Sequence, residues 1–327
     1  MGVVAIYAPD VREINKFFPE TSTGVAFSTT QARTGTYSLR MNSALWPINI
    51  NVAVRADYYI RCGVYITNYH SEALRIQFKD SSLTKHISIV FNTTAQQIEA
   101  RRGDQNGTIL GTGSLTLNMN QWYCVEIYAK VDDSTGAITV KVDGTADITL
   151  TSQDTRNGGT AEIGRVTWEV AGNYSYIDDI IIRDDDWPGQ GSVYLLQVDG
   201  EGDETDWTAS AGNPEDCVDE VPWSDSDYVY ADSATPNLKQ DFTMEDLPDT
   251  YTSIDAVQVL AIVGLSAAGS GDAKVYCDSN GTEEDGSSTA LDVTPVGLRH
   301  IMSLNPDDSA AWEKADVNAI KVGVETL

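Results

Sequence analysis

The feature that most constrains this chain is a side-chain period of two. Leu74, Ile76 and Phe78 alternate with Arg75, Gln77 and Lys79. On an extended backbone successive side chains point to opposite faces, so this run presents one apolar and one charged face. Val125, Ile127, Ala129 and Val131 repeat the pattern, as do Ile138, Val140 and Val142 with Thr139 and Lys141 turned outward. Between those runs, Asp132-Asp133-Ser134-Thr135-Gly136 has the polar, glycine-ended composition of a hairpin loop, and Asp143-Gly144 signals a second turn. Amphipathic helical patterns are nearly missing; Asp10 to Phe18 is the one short stretch that reads as helix. The expected fold class is all-β, built from half-buried antiparallel strands.

A length of 327 residues points to two folding units. The β-prone run Tyr176-Ile177-Asp178-Asp179-Ile180-Ile181-Ile182-Arg183 gives way to Asp184-Asp185-Asp186-Trp187-Pro188-Gly189-Gln190-Gly191. Three like charges, a proline and two glycines stop a strand. The spacing therefore predicts a domain over 1–187, a linker at 188–191 and a second domain over 192–327. Beyond the linker, 193–198, 256–265, 273–277 and 319–325 read as strands, and Gly200 to Ser226 as acidic and irregular.

Charge separates the same two regions. Residues 1–189 hold 21 acids and 16 bases (net −5), leaving 28 acids and 5 bases (net −23) for 190–327. A total of −28 repels a phosphate backbone, so nucleic acid is excluded as a partner. No stretch approaches the ~20 apolar residues of a membrane helix. Residues 1–20 lack the basic-then-apolar order of a signal peptide, so the protein is expected either to work inside the producing cell or to leave it by lysis or an unconventional route. Cys62, Cys124, Cys217 and Cys277 are far apart, with no C-x-x-C pair. They read as reduced, buried thiols, with one disulfide per half left open by the even count.

Several motifs match a known fold. Arg33-Thr-Gly-Thr-Tyr-Ser-Leu-Arg40, the run from Gly111 through Trp122 to Glu126, the hairpin to Val142-Asp143-Gly144, and Ile177-Asp178-Asp179-Ile180 together resemble the concanavalin A-like, laminin-G-type jelly rolls. This resemblance implies a jelly-roll sandwich followed by a second, smaller antiparallel β-sandwich domain, with Trp122 in the core. A narrower resemblance covers Asp184 to Gly189, Trp207 to Asn213, Val218 to Pro222, Asp225 to Val229 and Ala311 to Val324. It is to a segment of tailed-phage and prophage structural proteins. It implies a non-enzymatic virion component: a capsid decoration, head-fibre or tail-associated subunit assembled in the host cytoplasm. Its partners would be other virion proteins, and it would form a homo-oligomer, a trimer among the options.

Catalytic signatures are few. The E-x-D-x-x-E carboxylate pattern of concanavalin-like glucanases does not occur. Adjacent Asp178 and Asp179 would face opposite sides of a strand. His70, His86 and His300 lie in no metal or nucleophile motif and read as surface or loop histidines; G-x-S-x-G and phosphate loops are missing. The expected protein is not an enzyme, with no catalytic residues. The main alternative function is carbohydrate binding to host or environmental glycans. Trp46, Trp168, Tyr174 and Tyr176, near turns or strand ends, are the candidates to stack on sugar rings, with burial in packing as the alternative for each. Asp199, Glu201 and Asp203 alternate hard oxygen ligands with glycines and are the candidates for calcium, the one cofactor the sequence offers ligands for. Position six of that run is Glu204 and position twelve Ser210, against an EF-hand, and a solvated acidic loop is the alternative.

Overall fold

The computed structural model describes residues 2–11, 25–41, 47–67, 72–92, 95–171, 174–221, 224–232, 235–248, 250–251 and 253–327. The chain divides into two compact units, Met1–Asp10 with Phe18–Tyr194, and Val11–Phe17 with Leu195–Leu327.

The first unit contains β1 (Val3–Tyr7), β2 (Val25–Ser28), β3 (Ser38–Met41), β4 (Ile48–Arg55), β5 (Asp57–Ile66), β6 (Glu72–Lys79) and β7 (Lys85–Asn92). It continues with β8 (Gln97–Arg102), β9 (Thr108–Thr112), β10 (Trp122–Lys130), β11 (Gly136–Val142), β12 (Thr145–Gln153), β13 (Ile163–Ala171) and β14 (Ser175–Arg183). These make an eight-stranded sheet, β12-β11-β10-β5-β14-β3-β2 with β1 on β14, and a six-stranded sheet, β4-β13-β6-β7-β8-β9. The alternating apolar residues form the core: Ile60, Val125, Ile127 and Val140 from one sheet and Ile76, Phe78, Val166 and Trp168 from the other are all fully buried. Cys62 of β5 lies against the indole of Trp168 on β13, and burial pushes its thiol up to about 12. The result is a β-sandwich.

Local chemistry fixes the turns. The expected hairpin joins β10 to β11 in register Val125↔Val142 through Lys130↔Ala137. The Asp132 carboxylate accepts from the N–H groups of Ser134 (2.8 Å) and Thr135 (2.6 Å). These bonds hold its pKa down, at about 2. Asp143 and Gly144 both take positive φ, 47° and 78°, as a two-residue primed turn between β11 and β12 requires. At the N-terminus, Pro9–Val11 is a single 3-10 turn; residues 12–18 of the expected helix lie outside the described residues. All four cysteines are free and buried. Cys62 pairs with Val125 and Cys124 with Gly63, a one-residue offset that puts the two thiols on opposite faces of the sheet and bars a bridge.

The second unit contains β15 (Val198–Thr205), β16 (Thr208–Ala209), β17 (Val229–Tyr230), β18 (Lys239–Met244) and β19 (Val257–Val263). β20 (Asp272–Ser279), β21 (Thr282–Asp285), β22 (Thr289–Ala290), β23 (Val296–Met302), a short helix α1 (Lys314–Val317) and β24 (Lys321–Thr326) complete it. One sheet runs β15-β18-β24-β20-β21 with β22 on β20, and β19 pairs with β23 in another. Val259, Val275, Cys277, Leu298, Met302 and Trp312 share one core between them, so this unit too is an antiparallel sandwich.

Two sequence expectations fail at the junction. Residues 193–197 are not a strand, because the Val193 N–H is given to the Asp179 carboxylate (2.7 Å) instead of a ladder. The acidic stretch expected to be irregular instead begins as strand β15. Its glycines absorb register shifts against β18, and a Cβ on Gly202 would stand 2.1 Å from an Asp241 oxygen.

Candidate functional site

The outer face of the six-stranded sheet carries a polar grid. Antiparallel Cα partners send their side chains to the same side. Asn49, Thr167, Gln77, Ser88 and Arg101 therefore form one row across β4, β13, β6, β7 and β8. Within it, Thr167 Oγ1 donates to Asn49 Oδ1 (2.9 Å) and Gln77 Nε2 to Ser88 Oγ (3.3 Å). Thr167, Gln77 and Ser88 are all fully buried. On one side of that row, Arg75 binds Glu169 at 2.7 Å, and Lys79 reaches the other Glu169 oxygen at 3.7 Å. Asn92 Nδ2 donates to Glu99 (2.6 Å), which also holds Arg101. On the other side Arg165 donates to Asn51 Oδ1 (2.8 Å). Each member is held by a cross-strand neighbour, so amide, hydroxyl, guanidinium and carboxylate groups stand fixed on a rigid sheet. The sequence signal was the Arg75-Gln77-Lys79 alternation itself, read above only as a charged face.

The four aromatic candidates are not brought together. Trp168 belongs to the core, fully buried between the sheets, because its partners Ile76 and Ile48 sit in an inward-facing row; it is no stacking platform. Trp46 lies outside the described residues. Tyr176 and Tyr174 sit at the eight-stranded sheet. Tyr176 shares a cross-strand row with Arg40, Tyr65 and Trp122, its ring edge-on to Tyr65 at 5.7 Å. It is 5% exposed, which leaves no open ring face. Tyr174 is 47% exposed and has the Arg40 guanidinium 5.1 Å from its ring centroid. Trp122, expected in the core, is instead half-buried on this outer row, 5.4 Å from Tyr65.

The calcium candidates stand on a strand, not a wrapping loop. Asp199, Glu201 and Asp203 all point outward from β15. Asp199 accepts from Thr243 Oγ1 (2.7 Å), and Asp203 pairs with Lys321 (2.7 Å). Among the described residues no cluster of three metal-ligating side chains occurs. His86 departs from the surface expectation: it is fully buried on β7, its Nδ1 accepting from the Asn157 N–H at 3.1 Å.

A second polar centre, unforeseen from sequence, lies behind the eight-stranded sheet's outer face. Asp178 and Asp179 do not alternate, because a bulge between Asp178 and Ile181, with Asp179 at φ 51°, turns both carboxyls toward one neighbourhood. Asp178 accepts the Arg33 N–H (2.8 Å), and Asp179 accepts from Thr34 Oγ1 (2.9 Å) and pairs with the Arg33 guanidinium. Burial first, then the Asp179 charge, pushes the Asp178 carboxyl up to about 7. The segment expected to be a linker is stitched to this face. Trp187 meets Tyr59 at 5.4 Å with Lys141 3.5 Å over its ring. Gly189 N–H donates to buried Glu126 (2.9 Å), and Arg33 donates to the Gly191 carbonyl (2.7 Å). Residues 188–191 thus belong to the first unit, which extends to Tyr194.

No family model and no curated protein matches the chain. Among solved structures, a sialidase overlaps 56% of this chain but 19% of its own length, at 10% identity and a TM-score of 0.40. Carbohydrate binding module CBM66 from Bacillus subtilis overlaps 50% of this chain and 96% of its own, at 12% identity and 0.34. The galectin LEC-6 from Caenorhabditis elegans overlaps 44% and 94%, at 13% and 0.30.

Proposed function

We propose that the first unit is a carbohydrate-binding module whose ligand lies on the polar outer face of the six-stranded sheet. One observation carries the reading: the cross-strand grid in which buried Thr167 and Gln77 brace partly exposed Asn49 and the Arg75–Glu169 pair. A sugar offers closely spaced hydroxyls that both donate and accept, and a fixed array of amide, carboxylate and guanidinium groups matches them without first having to be ordered. The module binds without bond cleavage: Glu169 and Glu99 are each held by an arginine of the sheet, fixed as hydrogen-bond acceptors for sugar hydroxyls.

A glycan array probed with the intact chain tests this. Retention of defined saccharides is expected, reduced at least tenfold by Arg75→Ala or Asn49→Ala and unchanged by Tyr228→Ala in the second unit. A blank array, or retention indifferent to both first-unit substitutions, overturns the reading. The virion setting is a further proposal supported by the sequence resemblance alone. Mass spectrometry of purified particles is its test, and consistent absence of the chain from them ends it.

A further inference from the structure

Residues 187–193 cross the outer face of the eight-stranded sheet as a strap, held there by hydrogen bonds to charged side chains. Glu126 accepts the Gly189 N–H (2.9 Å), and Arg61 Nη1 donates to the Gly189 carbonyl (3.4 Å). Arg33 donates to the Gly191 carbonyl (2.7 Å), and Asp179 accepts the Val193 N–H (2.7 Å). Glycine makes the approach possible. A Cβ on Gly191 would stand 2.5 Å from Arg61 Nη1, and one on Gly63 of β5 2.6 Å from Arg33 Cδ. The strap itself is thinly covered: Gly189, Gly191 and Val193 are partly exposed, and Gln190, Ser192 and Tyr194 are exposed.

The charges it covers do not balance. Asp178, Asp179, Glu126 and Arg61 are each no more than 3% exposed, and the Arg33 side chain 20%. Three carboxyls thus share two guanidiniums. With one carboxyl protonated the set is neutral; with all three ionised it holds an unpaired buried charge, which is strongly unfavourable. Asp179 takes the Arg33 guanidinium and the Thr34 hydroxyl, and Glu126 is the cross-strand partner of Arg61 and Lys141. Asp178 accepts, among the described residues, only the backbone N–H groups of Arg33, Thr34 and Asp179. The proton therefore belongs on Asp178, whose pKa of about 7 reflects burial and the Asp179 charge. The other groups nearby leave this count unchanged. Burial keeps the Cys124 thiol neutral, and partly exposed Lys141 sits 3.5 Å over the Trp187 ring. Asp184 and Asp185, before the strap, are held by Arg55 and Arg183.

We propose that the strap is a proton-controlled latch, docked while Asp178 carries its proton and released from the sheet when that proton leaves. Lifting a thinly covered segment is the least disruptive way to bring water to the ionised carboxylate, since the strands on either side are locked in ladders. Release frees residues 188–194, up to about 25 Å of chain, between the first unit and the start of the second.

Hydrogen exchange of the intact chain, read by mass spectrometry from pH 5.5 to 8.5 and corrected for the intrinsic pH dependence of exchange, tests this. Protection of 188–194 is expected to fall at least tenfold across that range, while β10 and β11 stay protected. The midpoint should coincide with the titration of the Asp178 carboxyl carbon followed by NMR. Asp178→Asn, which cannot ionise, should keep the strap protected at pH 8.5. A strap equally protected at every pH, or a release midpoint apart from that of the carboxyl, overturns the proposal. So does release in Asp178→Asn at the parent's pH, or loss of protection in β10 and β11 together with the strap, the mark of unfolding of the whole unit. Should Asp178→Asn fail to fold, the two midpoints of the parent decide the matter by themselves.

Discussion

The two units are both antiparallel sandwiches, yet they handle charge in opposite ways. The first buries it: Arg33 with Asp179, Arg75 with Glu169, and Glu126 beneath Gly189. The second leaves most of its acids in water. Five of the eight residues of β15 are exposed, among them Asp199, Glu201, Asp203 and Glu204. Buried charges demand partners fixed in three dimensions, whereas exposed ones need only solvent and salt. Pairs fixed in the interior hold a single geometry, and a solvated acidic surface suits solubility.

The strongest challenge to this contrast is to break the first unit's core. Trp168→Ala should cost about 3–5 kcal/mol in urea denaturation followed by circular dichroism, with the transition of the second unit left in place. A variant that keeps its stability and loses only glycan retention would restore Trp168 as a binding residue. Next comes Arg33→Ala, which strands the Asp179 carboxylate in the interior. A destabilisation of about 3 kcal/mol or more is expected, and a change below ~1 kcal/mol, the range of surface ion pairs, would mean that the pair behaves as a surface one.

Asp178 sharpens the comparison through pH. Its folded-state pKa of about 7 lies above the usual 3.8, so over that window the folded state keeps a proton that the unfolded state releases. Stability from this group is fully present below about pH 4 and is lost as pH rises through about 7. Thermal unfolding of the first unit should therefore ease between those limits, and Asp178→Asn should flatten the slope. A slope unchanged in that variant would place its origin elsewhere. The smallest effect separates the units by salt. Raising ionic strength from ~0.01 to ~1 M shortens the Debye length from ~30 to ~3 Å. The melting temperature of the net −23 region should rise by several degrees and that of the net −5 region by less. Equal shifts would show that net charge does not distinguish them.

Much of the fold was legible in short stretches. The runs around Leu74, Val125 and Ile138 became β6, β10 and β11, and the Asp132 loop and the Asp143-Gly144 turn fell where their residues required. The errors share one cause. Trp168 looked like a surface platform because its position near a strand end says nothing of which face its row takes. Residues 188–191 looked like a linker because glycine and proline mark irregular backbone without saying whether it is free or stitched down, as Glu126 and Arg33 stitch it. Asp178 and Asp179 were assigned to opposite faces by strict alternation, which a bulge overrides.

By itself, then, the order of residues determined the element type and the charge contrast, because alternation, turn chemistry and composition are local properties. Which side chains became neighbours was decided only by the register of strands distant in sequence. Arg165 meets Lys79 across 86 positions of chain, and Arg33 meets Asp179 across 146. Such pairings depend on the whole sandwich closing, since each strand finds its register by burying its apolar row against the others.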